Sequence, residues 1–164
     1  MGLVPVTLTV NGTRHYGEAE PRHLLSDYLR EVVGLNGVKV SCDIGICGAC
    51  TVIMGGRTVR ACLILAVQAD GEELLTVEGL AQGAELHPLQ DAFWECHALQ
   101  CGYCTPGMLL TAHALLSEND HPSEAEIRTA ISGNLCRCTG YVHIVSAIQL
   151  AAKRLRARSV PQGS

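Results

Sequence analysis

Cys42-Asp43-Ile44-Gly45-Ile46-Cys47-Gly48-Ala49-Cys50 brings three thiols into nine residues, and a fourth, Cys62, follows on the next extended stretch. Three potential ligands so close together force the backbone to wrap around whatever they hold. Gly45 and Gly48 make that wrap possible, because glycine enters positive φ freely and lets peptide N–H groups approach sulfur. A second set lies downstream: Cys101, Cys104, Cys136 and Cys138, spaced Cys-x2-Cys and Cys-x1-Cys. Each set offers four thiolates, the complement of one 2Fe–2S cluster. Eight of the nine cysteines are thereby used, and Cys96 reads as a free thiol.

The first set has the plant-type spacing Cys-x4-Cys-x2-Cys with a fourth cysteine downstream. Other uses of cysteine fit less well. Structural zinc prefers paired knuckles, not a three-ligand glycine-rich loop with a distant fourth member. A disulfide across Cys136 and Cys138 would have poor local geometry. Neither a basic start followed by an apolar stretch nor a long apolar span is visible. The expectation is therefore a cytoplasmic protein without a membrane span, in which cysteines serve metal or redox chemistry. For the second set, spacing alone leaves the metal open.

Residues outward from the loop predict an α+β chain. Val4, Val6, Leu8 and Val10 alternate, and Asn11-Gly12 signals a type I′ hairpin returning over Thr13 to Ala19. Leu24, Leu25, Tyr28, Leu29 and Val32 recur at helical spacing before Gly34. After the loop, Gly55-Gly56 joins strands over Thr51 to Met54 and Thr58 to Cys62, and Leu74 to Val77 forms a short last strand. Hairpin, helix, loop and hairpin make a β-grasp domain over 1–79. From 80 to 164 helical signals dominate. Pro88 opens one helix; Thr105-Pro106 supplies a cap and an early proline for a second. Ser123 and Glu126 form a capping box for a third, and the fourth runs from near Tyr141 through Leu155. The four helices form two pairs, each joined by a cysteine-bearing turn, which predicts a four-helix bundle with pseudo-twofold symmetry around the second cluster. Both turns set thiolates at helix starts, where free N–H groups favour negative charge.

Apolar residues make up 48% of the chain but aromatics only 4%, so the cores must be aliphatic. A net charge of −4 carries no nucleic-acid footprint. No nucleophile–base pair stands out, so no catalytic residue is assigned and the expected role is electron relay. His97, His113, His121 and His143 lack metal-site spacing. Lys153, Arg154, Arg156 and Arg158 complement the dipole of the last helix, with subunit docking as the other reading.

Three motifs go further: Cys42-Asp-x-Gly-x-Cys-Gly-Ala-Cys-Thr51, Gln100-Cys-Gly-Tyr-Cys-Thr-Pro-Gly107 and Gly133-Asn-Leu-Cys-Arg-Cys-Thr-Gly-Tyr141. Together they resemble the small iron–sulfur subunit of the bacterial molybdenum hydroxylases, the family of xanthine dehydrogenase, aldehyde oxidoreductase, carbon monoxide dehydrogenase and the N-heteroaromatic hydroxylases. The resemblance spans roughly residues 3–157. It implies two 2Fe–2S clusters, a large molybdopterin-binding catalytic subunit (the cofactor in its cytosine dinucleotide form), a medium FAD-binding subunit, and a dimer of heterotrimers. Electrons would pass singly from the molybdenum site through the clusters to FAD while a heteroaromatic, purine or aldehyde substrate is hydroxylated. By the same resemblance Gln100 and the sulfur of Cys138 contact the pterin; by itself, Gln100 would read as a helix-end polar residue. Gly45 stands where the carbon monoxide dehydrogenases would have Ser. Two alternatives stay open: a reductive member of the family, of the aryl-CoA reductase type, and a free-standing ferredoxin carrier.

Overall fold

The computed structural model describes residues 2–159; the ends of the expected domains at Met1 and 160–164 lie outside the described residues. Five strands, β1 (Val4–Val10), β2 (Thr13–Ala19), β3 (Thr51–Met54), β4 (Arg57–Arg60) and β5 (Glu73–Leu75), form one mixed sheet in the order β2-β1-β5-β3-β4. β1 and β5 run parallel and the other neighbours antiparallel. Both hairpins turn as their sequences require: φ is +53° and +77° at Asn11-Gly12 and +54° and +79° at Gly55-Gly56. Two successive positive φ values match the right-handed twist of the flanking strands. Helix α1 (Leu25–Glu31) buries Leu25, Tyr28 and Leu29 in one core with Val6, Leu8, Val10 and Val52 of the sheet. That is the β-grasp arrangement.

Four helices follow: α2 (Pro88–Glu95), α3 (Thr105–Glu118), α4 (Glu124–Ala130) and α5 (Val142–Ser159). They enclose a second core of Leu89, Phe93, Met108, Leu110, Ile127, Ile144 and Ile148. β3 serves both cores. Val52 is wholly buried in the first, while Ile53 on the opposite face packs into the second beside α3. A strand with both faces covered loses the alternation that marks half-buried strands.

Local differences from the sequence reading have local causes. β4 stops at Arg60, and Cys62 sits in a 3-10 turn over Ala61–Leu63, because the chain must leave the sheet to reach the loop thiols. β5 ends at Leu75; Thr76, bonded through its N–H to Asn11 Oδ1 at 2.9 Å, starts a 3-10 turn over Val77–Gly79. Thr105 lies inside α3, whose N-cap is Cys104 with no side-chain cap. The Ser123–Glu126 capping box forms as expected, with Ser123 N–H donating to Glu126 Oε2 at 2.7 Å.

His87 caps α2 by accepting the Leu89 N–H on Nδ1 at 3.2 Å. Its ring meets that of His113 edge-on, with centroids 5.3 Å apart. Burial, then repulsion from His113 and Arg158, depress the His87 pKa despite the opposing pull of Asp91; burial alone depresses His113. Both rings are thus neutral in the fold, while the unfolded chain binds protons at the ordinary value. Their contribution to stability is complete above about pH 6.5 and is lost as the pH falls below it. Calorimetry at stepwise lower pH should show a falling melting temperature, and His113→Leu should flatten that fall; an equal slope in wild type and variant would refute the assignment.

Candidate iron–sulfur centres

The structure gathers the loop thiols in pairs. Cys42 lies within hydrogen-bond reach of the Cys47 thiol, and Cys50 within reach of Cys62. In the helical part each pair takes one member from each turn: Cys101 and Cys138 have their sulfurs 3.6 Å apart, and Cys104 contacts Cys136. Each set has an inner and an outer side. Cys50 and Cys62 are buried while Cys42 and Cys47 are half-buried; Cys104 and Cys136 are half-buried while Cys101 and Cys138 are exposed. Cys96 stands apart at the end of α2, half-buried, its thiol pKa raised by burial and then by Glu95.

Backbone geometry prepares these sulfurs for negative charge. Asp43, Gly45 and Gly48 all take positive φ, +53°, +76° and +72°, which curls the loop and turns its amides inward. The Cys47 N–H donates to Cys42 Sγ at 3.4 Å. That bond, with those from the Ile44 and Ile46 amides, brings the Cys42 thiol down to about 6. Cys62 is pushed up to about 11 by burial and by its Cys50 neighbour, against the Gly45 amide. The second set repeats the contrast. Burial and then Cys136 raise Cys104 to about 12. At Cys136 burial also opposes ionisation, but the Thr139 hydroxyl at 3.1 Å and its amide at 3.4 Å outweigh it and lower the pKa.

A buried thiol with a raised pKa ionises only where a cation compensates it. Two thiol pairs per set suit two metal ions, each taking two cysteines, which is the donor set of a 2Fe–2S core. Among the described residues no group of three or more His, Cys, Asp or Glu closes on a single ion. Gln100 lies at the exposed edge of the second set, its Nε2 donating to the Cys138 carbonyl at 2.9 Å.

The two sets are joined directly. The Leu135 N–H donates to the Cys47 carbonyl at 2.8 Å, and the Tyr103 hydroxyl donates to the Val40 carbonyl. A polar junction, buried at Thr51 and part-buried at Arg60, lies beneath: Arg60 donates to Thr51 Oγ1 at 2.6 Å and to the Gly133 carbonyl at 2.8 Å, and Thr51 Oγ1 donates to the Gly48 carbonyl at 2.6 Å. Asn134 stands at its centre, 1% exposed. Sequence reasoning gave Arg60, Thr51, Thr111 and Asn134 no role. Thr51 and Asn134 do fall inside the quoted motifs, which is the one signal that could have singled them out.

Two metal-binding loops of this form on a β-grasp sheet and a helical bundle define a two-cluster iron–sulfur protein. Comparison with known proteins agrees. Residues 8–81 match the family model of a 2Fe-2S iron-sulfur cluster binding domain, and residues 76–149 that of a 2Fe-2S binding domain. The nicotinate dehydrogenase small FeS subunit of Eubacterium barkeri is 49% identical over 154 residues, covering 94% of this chain and 98% of that subunit. Quinoline 2-oxidoreductase from Pseudomonas putida 86 contains a chain that superposes with a TM-score of 0.92 at 51% identity, over 96% of this chain and 99% of that one. The aldehyde oxidoreductase of Desulfovibrio desulfuricans ATCC 27774 superposes at 0.90 with 45% identity, but this chain spans only 17% of that longer one. The chain belongs to the family of small iron–sulfur subunits of the molybdenum hydroxylases, electron-transfer components of multi-subunit oxidoreductases. No helix among the described residues is long and apolar enough to cross a membrane.

Close packing at the junction is testable. A methyl group on Gly107 of α3 would strike the Gly48 carbonyl and would lie 3.0 Å from Asn134 Nδ2. Gly107→Ala should therefore destabilise the folded chain by about 1–3 kcal/mol, as overpacking does. An unshifted denaturant midpoint would show that α3 does not rest on the loop.

Proposed function

We propose that Cys42, Cys47, Cys50 and Cys62 ligate one 2Fe–2S cluster in a domain over 1–79, and Cys101, Cys104, Cys136 and Cys138 the other in a domain over 80–164. When bound, the clusters supply one-electron carriage. The protein holds the sulfurs, aims amides at them and excludes water from their inner sides, which tunes such centres. The observation that carries the relay reading is the direct contact between the two ligand loops, each of which keeps its own exposed flank.

Those flanks are apolar. Ile44, Ile46 and Leu63 stand exposed around the first loop, and Tyr103, Leu135 and Val142 around the second. Exposed apolar groups around a redox centre favour lasting interfaces over a freely diffusing carrier. In our reading the second flank, with Gln100 and the exposed sulfur of Cys138, meets the molybdopterin (cytosine dinucleotide form) of a large catalytic subunit. The first meets a medium subunit that binds FAD, in a dimer of heterotrimers acting in the cytoplasm. The names of the nicotinate and quinoline enzymes among its relatives favour an N-heteroaromatic substrate, with purines and aldehydes next. Electron flow towards the substrate, as in a reductive relative, is the second reading. Substrate-driven reduction of the flavin in the purified complex separates the two directions.

Two tests address the assignment. Two 2Fe–2S domains correspond to four iron and four acid-labile sulfide per chain. Cys96→Ser should keep all of them, whereas Cys47→Ser should lose one cluster and loosen its loop, because cluster binding and folding are coupled. Iron loss in the Cys96 variant, or one equivalent of zinc in the wild type, would overturn the ligand set. Gln100→Ala should leave iron content whole and slow cluster reduction by substrate in stopped flow. Unchanged rates would reduce Gln100 to a support for the Cys138 turn.

A further inference from the structure

Asn134 precedes Cys136 by two residues, and its carboxamide is engaged at both ends. Nδ2 donates to the Gly48 carbonyl at 3.0 Å and lies 3.3 Å from Thr51 Oγ1, while Oδ1 accepts from the Thr111 hydroxyl at 3.0 Å. Gly48 lies between Cys47 and Cys50, Thr51 follows Cys50, and Thr111 belongs to the helix that Cys104 caps. One side chain thus ties together three segments, each anchored by a cysteine of the proposed ligand sets. Gly48 and Gly107 leave room for it, since a Cβ on either would crowd Asn134. The adjoining peptide carries the 2.8 Å bond from the Leu135 N–H to the Cys47 carbonyl. From Cys47 Sγ this makes a path along the Cys47 side chain and carbonyl, across one hydrogen bond, and through the Leu135 backbone to Cys136.

We propose that Asn134 is a positioning residue for electron exchange between the two clusters, holding the Cys47–Leu135 hydrogen bond closed as the bridge between them. The proposal rests on the two-cluster relay reading. One electron leaves the reduced cluster and enters the oxidised one; no bond forms or breaks and no proton is required. Tunnelling weakens with distance, and faster across a gap than along bonded atoms, so a small opening here matters. The site needs an amide. A carboxylate of the same shape would set an acceptor against the Gly48 carbonyl, and an apolar residue would leave buried polar partners unpaired.

The test uses the cluster-loaded full-length chain carrying Asn134→Asp, Thr111→Val or Thr111→Ser. Three quantities are measured: iron content, hydrogen exchange at the Leu135 amide, and the spin–spin splitting between the two reduced clusters in low-temperature EPR. Asn134→Asp should keep its iron, speed Leu135 exchange by about tenfold or more, as loss of a buried hydrogen bond implies, and narrow the splitting. Thr111→Val, which keeps the shape of threonine, should shift both in the same direction, and Thr111→Ser should restore wild-type values. A merely structural asparagine would leave the splitting unmoved in iron-replete protein, and that result overturns the proposal. Should Asn134→Asp lose iron, the Thr111 pair decides: an unmoved splitting in Thr111→Val overturns the proposal, and a change that Ser restores supports it. A wild-type chain with a single cluster would overturn the relay reading and this proposal with it.

Discussion

Everything in this chain follows from the need to bring thiolates together. Four sulfurs at one site repel one another once ionised, and burial raises the pKa of Cys62 to about 11 and of Cys104 to about 12. Only a compensating cation and inward-pointing amides make the arrangement stable. The first ligand loop therefore carries three positive-φ residues, and the second set draws on a hydroxyl and an amide from Thr139. In the proposed ligand sets metal and fold would support each other: the loops shape the site, and a bound metal would hold the loops.

In the proposed relay, joining two such sites imposes a second demand, a set separation. Hydrophobic packing alone would position the units loosely. β3 is shared, with Val52 in one core and Ile53 in the other, and the polar network of Thr51, Arg60, Thr111 and Asn134 sets the contact more finely. No buried side-chain polar atom among the described residues lacks a partner. A fully satisfied network of this kind rewards one geometry and penalises slippage, since any shift strands a buried donor or acceptor.

Sequence reading succeeded where the deciding forces were local. Asn11-Gly12 and Gly55-Gly56 needed only their own φ preferences to form hairpins, Ser123 and Glu126 needed only each other, and the helical spacing of Leu25, Tyr28 and Leu29 needed only a face to bury. It slipped where a distant partner decided the backbone. Cys62 leaves its strand for a turn because Cys50 must be met, and Thr76 ends β5 because Asn11 captures it. The 3-10 turn at Ala66–Ala69 carries one local feature, the Leu65 N–H donating to Gln68 Oε1 at 2.9 Å, which hydrophobic spacing does not announce.

Cysteine spacing by itself determined that this chain has two four-thiol sets and, with the motif resemblance, which family it belongs to. Residue type and spacing are properties of the covalent chain, and the plant-type spacing of the first set accepts few alternatives to a 2Fe–2S cluster. Which thiols pair, which of them face outward, and how the loops touch were decided by tertiary structure alone. Cys101 meets Cys138 across 37 positions of chain, and Asn134 meets Gly48 across 86. Nothing in the residues between them encodes those contacts; they arise when two cores pack against the opposite faces of one strand.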